Sequence, residues 1–235
     1  MVIAVGYYYY EQFAEKFHIP LKKMRLLYNY VENAIYSTEK TEDAKHSIGM
    51  VGILPSRKGL RRGLELLKLL KETDPRFRLR IMGNRPEEVS WIKNNPAEKE
   101  YFDSCESYIR ENGLNDAVIY GGYRDRSELY SEIGYVLSLS DPDFPESFHL
   151  SPAEGACAGS MGLLLRWPGV EYLYSDDAVF DTLEDMAAHI LRAASDDGFF
   201  AESSDALRDY VLKNYGIDCF LECLDRYLRQ LFLIS

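Results

Sequence analysis

Arg57 and Lys58 stand side by side, just ahead of Gly59 and a stretch with leucines at helical spacing. Cations at such a position can meet a phosphate that also takes amides at the helix start. The same pair equally fits an ordinary solvated basic helix start. Glu146 and Glu154 frame a second segment, Asp141–Gly155, with seven residues between the two carboxylates. That segment opens a helix near Ser147–Ser151, so the amides around Phe148, His149 and Leu150 face the end of the preceding strand. An anion can sit there without any side chain donating. Glu146 stands just before the helix and Glu154 about two turns along, and each can accept hydrogen bonds from sugar hydroxyls. A helix-dipole or solvent-facing role for Glu154 fits the spacing as well.

These residues need a scaffold, and the hydrophobic rhythm supplies one. Ile48–Leu54 reads as a strand, and Leu60, Leu64, Leu67 and Leu70 mark one face of a helix. Phe77–Met82 is a strand ending at Gly83 and Asn84, followed by a helical stretch over Pro86–Asn112 that Pro96 interrupts and Gly113 closes. Val118–Tyr120 is a short strand running into Gly121 and Gly122, Arg126–Ile133 a short helix, and Tyr135–Ser140 the next strand. Ser147–Gly159 starts as a helix, Met161–Arg166 is a strand, and Thr182–Ala194, Ala201–Tyr215 and Ile217–Leu233 are helices. Strands alternating with helices predict an α/β fold, a Rossmann-like parallel sheet with helices on both faces, over residues 47–216. Ligands of such sheets bind beyond the carboxyl ends of the strands, where the loops holding these candidate residues converge.

The N-terminal stretch is different. Val2–Val5 looks like a strand, followed by Gly6, four tyrosines and a helix over Glu11–Phe17. Met24–Tyr28 is apolar, and Asn29–Ser47 is polar, with an exposed loop at Thr38–Asp43. The tyrosine run is either an aromatic ligand wall or core and interface filler.

Composition narrows the partners. The 235 residues hold 27 Lys and Arg against 38 Asp and Glu, a net charge of -11, which disfavours nucleic acid and anionic membrane. Residues 51–90 run the other way, with ten basic against five acidic side chains, so the rest of the chain carries -16. No stretch is long enough for a membrane span or signal peptide, and four cysteines make no disulfide framework. Buried thiols in a reducing, cytoplasmic protein are therefore expected. No glycine-rich dinucleotide fingerprint follows a strand, and there is no P-loop, H-E-x-x-H or G-x-S-x-G. The four histidines are scattered, so no metal site is expected.

The spacing of Glu146 and Glu154 resembles the E-x7-E motif of retaining GT-B glycosyltransferases of the group 1, glycogen-synthase-like superfamily. Pro145–Gly155 is similar to the segment around that motif, and Val51–Leu60 resembles the family's glycine–lysine loop. Leu79–Gly83, Val118–Gly122 and Met24–Glu32 resemble three further family segments, in the right order. The resemblance implies two Rossmann-like domains with the active site between them, of which this chain is the C-terminal, donor-binding half. Residues 1–46 would then be a remnant of the N-terminal domain with its linker, and 217–235 a helix crossing back to that domain. It also implies a nucleoside-diphosphate sugar as donor, transfer of a hexosyl group to an acceptor glycan or other acceptor with retention, and no metal or further cofactor. Lys58 would neutralise the donor diphosphate and Glu146 contact the transferred sugar, the two catalytic positions. Glu154 would bind the ribose, and Ser147, Phe148, His149 and Leu150 the diphosphate. Gly83, Asn84, Gly122, Tyr123 and Arg124 would flank the base.

Two positions depart from the family pattern. Its loop arginine falls on Ile53, leaving Arg57 beside Lys58 as the substitute, and the glycine after its E-S-F falls on His149. A degenerate, non-catalytic binding or scaffold module is the alternative reading. A nucleotide-sugar epimerase is a third, but the sequence places neither the extra catalytic carboxylates nor the cleft histidine it wants.

Overall fold

The computed structural model describes residues 1–32 and 39–232, so part of the exposed loop expected at Thr38–Asp43, and Leu233 of the last helix, lie outside the described residues. Two sheets form. The small one pairs β1 (Val2–Ala4) in parallel with β2 (Met24–Leu26), joined through α1 (Tyr7–Lys16). The tyrosines thus lie inside this first helix, which begins directly after Gly6 and not at Glu11.

The large sheet has six parallel strands. In chain order they are β3 (Ser47–Val51), β4 (Arg78–Met82), β5 (Val118–Gly122), β6 (Tyr135–Ser138), β7 (Met161–Leu165) and β8 (Val179–Phe180). Across the sheet the order is β5-β4-β3-β6-β7-β8. The chain builds outward from β3 to one edge, then returns to lay β6 on the other side of β3. That reversal makes the β3/β6 boundary the topological switch point, where the flanking loops part and leave a crevice.

Period-2 alternation sends side chains of each strand to opposite faces. Ile48, Met50, Leu79, Ile81, Tyr135, Leu137 and Leu163 pack against α2 (Leu60–Thr73), α4 (Pro96–Glu111) and α7 (Leu183–Ser195). Val136 and Leu164 pack against α5 (Arg126–Ser131), α6 (Leu150–Cys157) and α8 (Asp197–Tyr215). With both faces covered, the central strands are buried almost throughout.

Element limits differ from the sequence expectation where local chemistry intervenes. The first large-sheet strand stops at Val51 because Gly52 takes φ +76°. The long helical stretch splits into a 3-10 turn, α3 (Ser90–Lys93) and α4, whose start is capped by the Asn95 side chain just before Pro96. The helix expected from Ser147 begins only at Leu150, and α8 begins early, at Asp197, because Asp196 caps it. The two-residue strand β8 carries too little pattern to be read from sequence. Cys105 and Cys157 are buried, whereas Cys219 and Cys223 are half-exposed, in contrast to the expectation of buried thiols. Among the described residues no helix is long and apolar enough to cross a membrane.

The last helix, α9 (Ile217–Phe232), lies against the small sheet. The Tyr227 hydroxyl donates to the Leu26 carbonyl at 2.8 Å, and the Arg25 guanidinium donates to the Gln230 Oε1 at 3.1 Å.

Candidate active site at the strand ends

Beyond β3 the chain makes a 3-10 turn, Ser56–Lys58, and enters α2 through Gly59. Gly59 has φ +80°, and a Cβ there would stand 2.0 Å from the Leu139 carbonyl oxygen. Only glycine lets the turn lie this close to the end of the neighbouring strand. Gly59→Ala is expected to cost about 3 kcal/mol, combining left-handed strain with the clash. Urea unfolding of the two chains checks this, and an unchanged midpoint would contradict it.

The turn aims two adjacent side chains at one point. Arg57 Nη1 lies 2.9 Å and Lys58 Nζ 2.7 Å from the same oxygen, Oε1 of Glu146, and the Ser140 hydroxyl donates to it at 2.8 Å. The two cations therefore converge on one carboxylate oxygen. Ile53 itself is buried in the core with the leucines of α2. Backbone amides at the start of α2 are less available than the sequence suggested: Ser56 N–H donates to Glu98 and Arg61 N–H to the Tyr101 hydroxyl.

Glu146 is buried in the loop between β6 and α6. Burial opposes its charge, but the nearby His149 ring, Lys58 and Ser140 together hold the carboxyl down to about 2. His149 sits at the N-cap of α6, its Nδ1 on the Ser138 hydroxyl and its Nε2 3.2 Å from the Ser151 hydroxyl, while Tyr174 donates to its carbonyl at 2.8 Å. Burial, and then the Lys58 charge, push the imidazole down to about 3, so it is neutral near pH 7. Its ring is thus engaged by serines on both nitrogens.

Both groups make the fold sensitive to acid. Glu146 ionises far below its ordinary 4.5, so its contribution is complete above that pH and lost as the pH falls toward 2. The unfolded chain protonates His149 near 6.5, and the folded chain only near 3, so stability also falls with pH across that interval. The urea midpoint should drop steadily from pH 6.5 to 4, and His149→Gln should flatten that part of the curve. A parallel curve for the variant would contradict the assignment.

Glu154 is buried on α6 and does not face solvent. Its Oε1 takes Arg126 Nη1, and its Oε2 accepts from the Tyr130 hydroxyl at 2.8 Å. The sequence reading does not single out Arg126 and Tyr130, although their four-residue spacing on a short helix puts both on one face. Two clefts open beside the carboxylates. One of ≈ 630 Å³ lies between Tyr8, Tyr9 and Phe13 of α1 and the loop Asp143–Ser147, ending at Arg57 and Glu146. The other, ≈ 460 Å³, is bordered by Asn29–Glu32, Arg126, Leu150 and Glu154. The tyrosine run supplies cleft wall through Tyr8 and Tyr9 and also packing, with Tyr9 donating to the Pro145 carbonyl at 2.7 Å and Tyr7 tilted against Tyr172. A further cavity, ≈ 620 Å³ between β7, α7 and α8, is lined by none of the expected site residues.

The remaining expected residues gather at the ends of β4 and β5. Gly83 N–H donates to the Gly122 carbonyl at 3.0 Å, so the two loops are neighbours, and Asn84 and Tyr123 are exposed, Tyr123 to 81%. Arg124 is held by both oxygens of Glu132, at 3.0 and 3.1 Å. Ser147 and Phe148 lead into α6; Phe148 is buried against Tyr28 and Tyr215, and Gly6 approaches the Ser147 carbonyl. Among the described residues no group of three or more His, Cys, Asp or Glu side chains is placed to hold a metal ion.

The fold is shared with known proteins. The chain superposes on Anabaena HepE, crystallised with UDP and glucose, with a TM-score of 0.81 and 17% identity, over 98% of this chain and 63% of that one. It superposes on a mutant of TarM from S. aureus, in complex with fondaparinux, alpha-GlcNAc-glycerol and UDP, with a TM-score of 0.75 and 18% identity, over 96% and 43%. For sucrose-phosphate synthase from Thermosynechococcus elongatus the TM-score is 0.75 at 18% identity, over 100% and 59%. The chain therefore spans 43–63% of the length of these three structures. No curated protein matches the sequence. Residues 33–213, well over half of the chain, match the family described as glycosyl transferases group 1, and the chain belongs to that family.

Proposed function

We propose that the chain is the nucleotide-sugar-binding part of a retaining hexosyltransferase. The observation that carries this reading is the convergence of Arg57 and Lys58 on Glu146 at the β3/β6 switch point, opposite the N-terminus of α6. Two cations at the end of β3 beside the start of the helix that follows β6 suit a diphosphate better than a single phosphate or a carboxylate. The UDP complexes of the structural neighbours make UDP the first nucleotide to test.

In this reading the diphosphate lies between Arg57, Lys58 and the amides of Phe148, His149 and Leu150. Glu154, steadied by Arg126 and Tyr130, accepts the ribose hydroxyls, and the loops at Gly83–Asn84 and Gly122–Arg124 flank the base. Glu146 accepts hydroxyls of the transferred sugar. As the bond from the anomeric carbon to the phosphate oxygen breaks and the acceptor hydroxyl oxygen bonds to the same face, its proton passing to the departing phosphate oxygen, negative charge grows on the leaving diphosphate. The cations and the α6 amides are already aimed there, so they stabilise the transition state without reorganising. Their charge does the work a bound metal ion would otherwise do.

Residues 47–216 form the donor domain in this proposal, 1–46 carry the end of the acceptor domain and the linker, and 217–235 cross toward that domain. The contacts of α9 with Leu26 and Arg25 support that division. A non-catalytic binding module is favoured by one observation, the His149 ring at the position where the family pattern has glycine; it predicts nucleotide binding without turnover. The test is a calorimetric panel of nucleoside diphosphates, with and without a chelator. Saturable binding of at least one, unchanged by chelation, is expected. No saturable binding of any would defeat the reading.

A further inference from the structure

We propose that Glu98 is a positioning residue for the cationic turn, holding it in the conformation that brings Arg57 and Lys58 to one point. This rests on the reading of that turn as diphosphate-binding. Glu98 lies in the first turn of α4, and both of its oxygens are spent on one residue of the turn. Oε2 accepts from the Ser56 amide at 2.8 Å and Oε1 from the Ser56 hydroxyl at 2.7 Å. One helical turn further along, the Tyr101 hydroxyl accepts from the Arg61 amide at 2.9 Å, a first-turn amide with no partner inside α2. Thus α4 grips the chain on either side of Lys58.

The turn needs such a grip. Its own backbone bonds are Lys58 N–H to the Pro55 carbonyl and Gly59 N–H to the Ser56 carbonyl. On the side of β6 it is held by the Asp141 amide, which donates to the Arg57 carbonyl at 2.8 Å, and by the close approach of Gly59 to Leu139. The opposite side depends on Glu98. Without it, the Ser56 amide and hydroxyl lose their acceptor, the turn gains freedom, and two long cations no longer share a target. Misplacement of that kind weakens binding at the site it supports even though the mutated group never touches the ligand.

Simple electrostatics predicts the opposite sign. A carboxylate behind a phosphate-binding turn repels the phosphate, so a bystander at this position would, once neutralised, tighten diphosphate binding. The experiment is calorimetric titration of wild type, Glu98→Gln and Glu98→Ala with UDP and with uridine, and Tyr101→Phe as a companion. The UDP dissociation constant is expected to rise about threefold for the glutamine and about tenfold for the alanine variant, with a smaller rise for Tyr101→Phe. Uridine binding, which depends on the Glu154 side of the crevice, should change by less than about twofold. Unchanged or tighter UDP binding would overturn the proposal, and so would equal weakening of UDP and uridine, the mark of general damage. A wild-type chain that binds no UDP, or other diphosphate, overturns the parent reading instead, so the two failures are distinguishable.

Discussion

Lys58→Ala is expected to weaken UDP binding about 100-fold while leaving uridine binding almost unchanged. Lys58 is largely buried and sits 2.7 Å from Glu146, whose carboxyl is itself buried. Truncating one member of such a pair typically costs several kcal/mol, because the remaining charge keeps its desolvation penalty and loses its partner. Here the loss is compounded. The diphosphate forfeits a cation, and Glu146, balanced now by Arg57 alone, repels it. Arg57 still reaches the same oxygen at 2.9 Å, so binding is weakened and not abolished. Calorimetric titration reads both ligands, and equal affinities of wild type and variant for UDP would contradict the assignment.

Glu154→Ala is expected to produce a different pattern, weakening uridine and UDP by the same factor, about 30-fold. A carboxylate accepting two ribose hydroxyls acts on the nucleoside, which both ligands share. The variant also removes the carboxylate that pairs with Arg126 and accepts from the Tyr130 hydroxyl, which should cost about 1–2 kcal/mol of stability. If Glu154→Ala weakened UDP but not uridine, the carboxylate would belong to the diphosphate or sugar end and the orientation of the nucleotide would be reversed.

Much of this site is legible in the sequence because backbone geometry fixes it. Strand–helix alternation sets the sheet, the sheet sets the edge at which loops converge, and Lys58, Glu146 and Glu154 fall in or beside those loops. What sequence could not show is direction. That Arg57 and Lys58 point the same way depends on the 3-10 turn and on Glu98, which holds Ser56 from forty-two residues away. That the His149 ring lies between two serines depends on Ser138 at the end of β6, which nothing local predicts. The partners of Glu154 come from α5, whose spacing is readable but whose packing against α6 is a tertiary fact.

The proposed function depends on one nucleoside diphosphate spanning from the Arg57–Lys58 pair to Glu154. The most direct measurement is a crystal structure of the chain with UDP. A phosphate oxygen is expected within hydrogen-bond distance of Lys58 Nζ and of an amide at the start of α6, with a ribose hydroxyl donating to Glu154. UDP bound elsewhere, with Lys58 still paired only to Glu146, would contradict it.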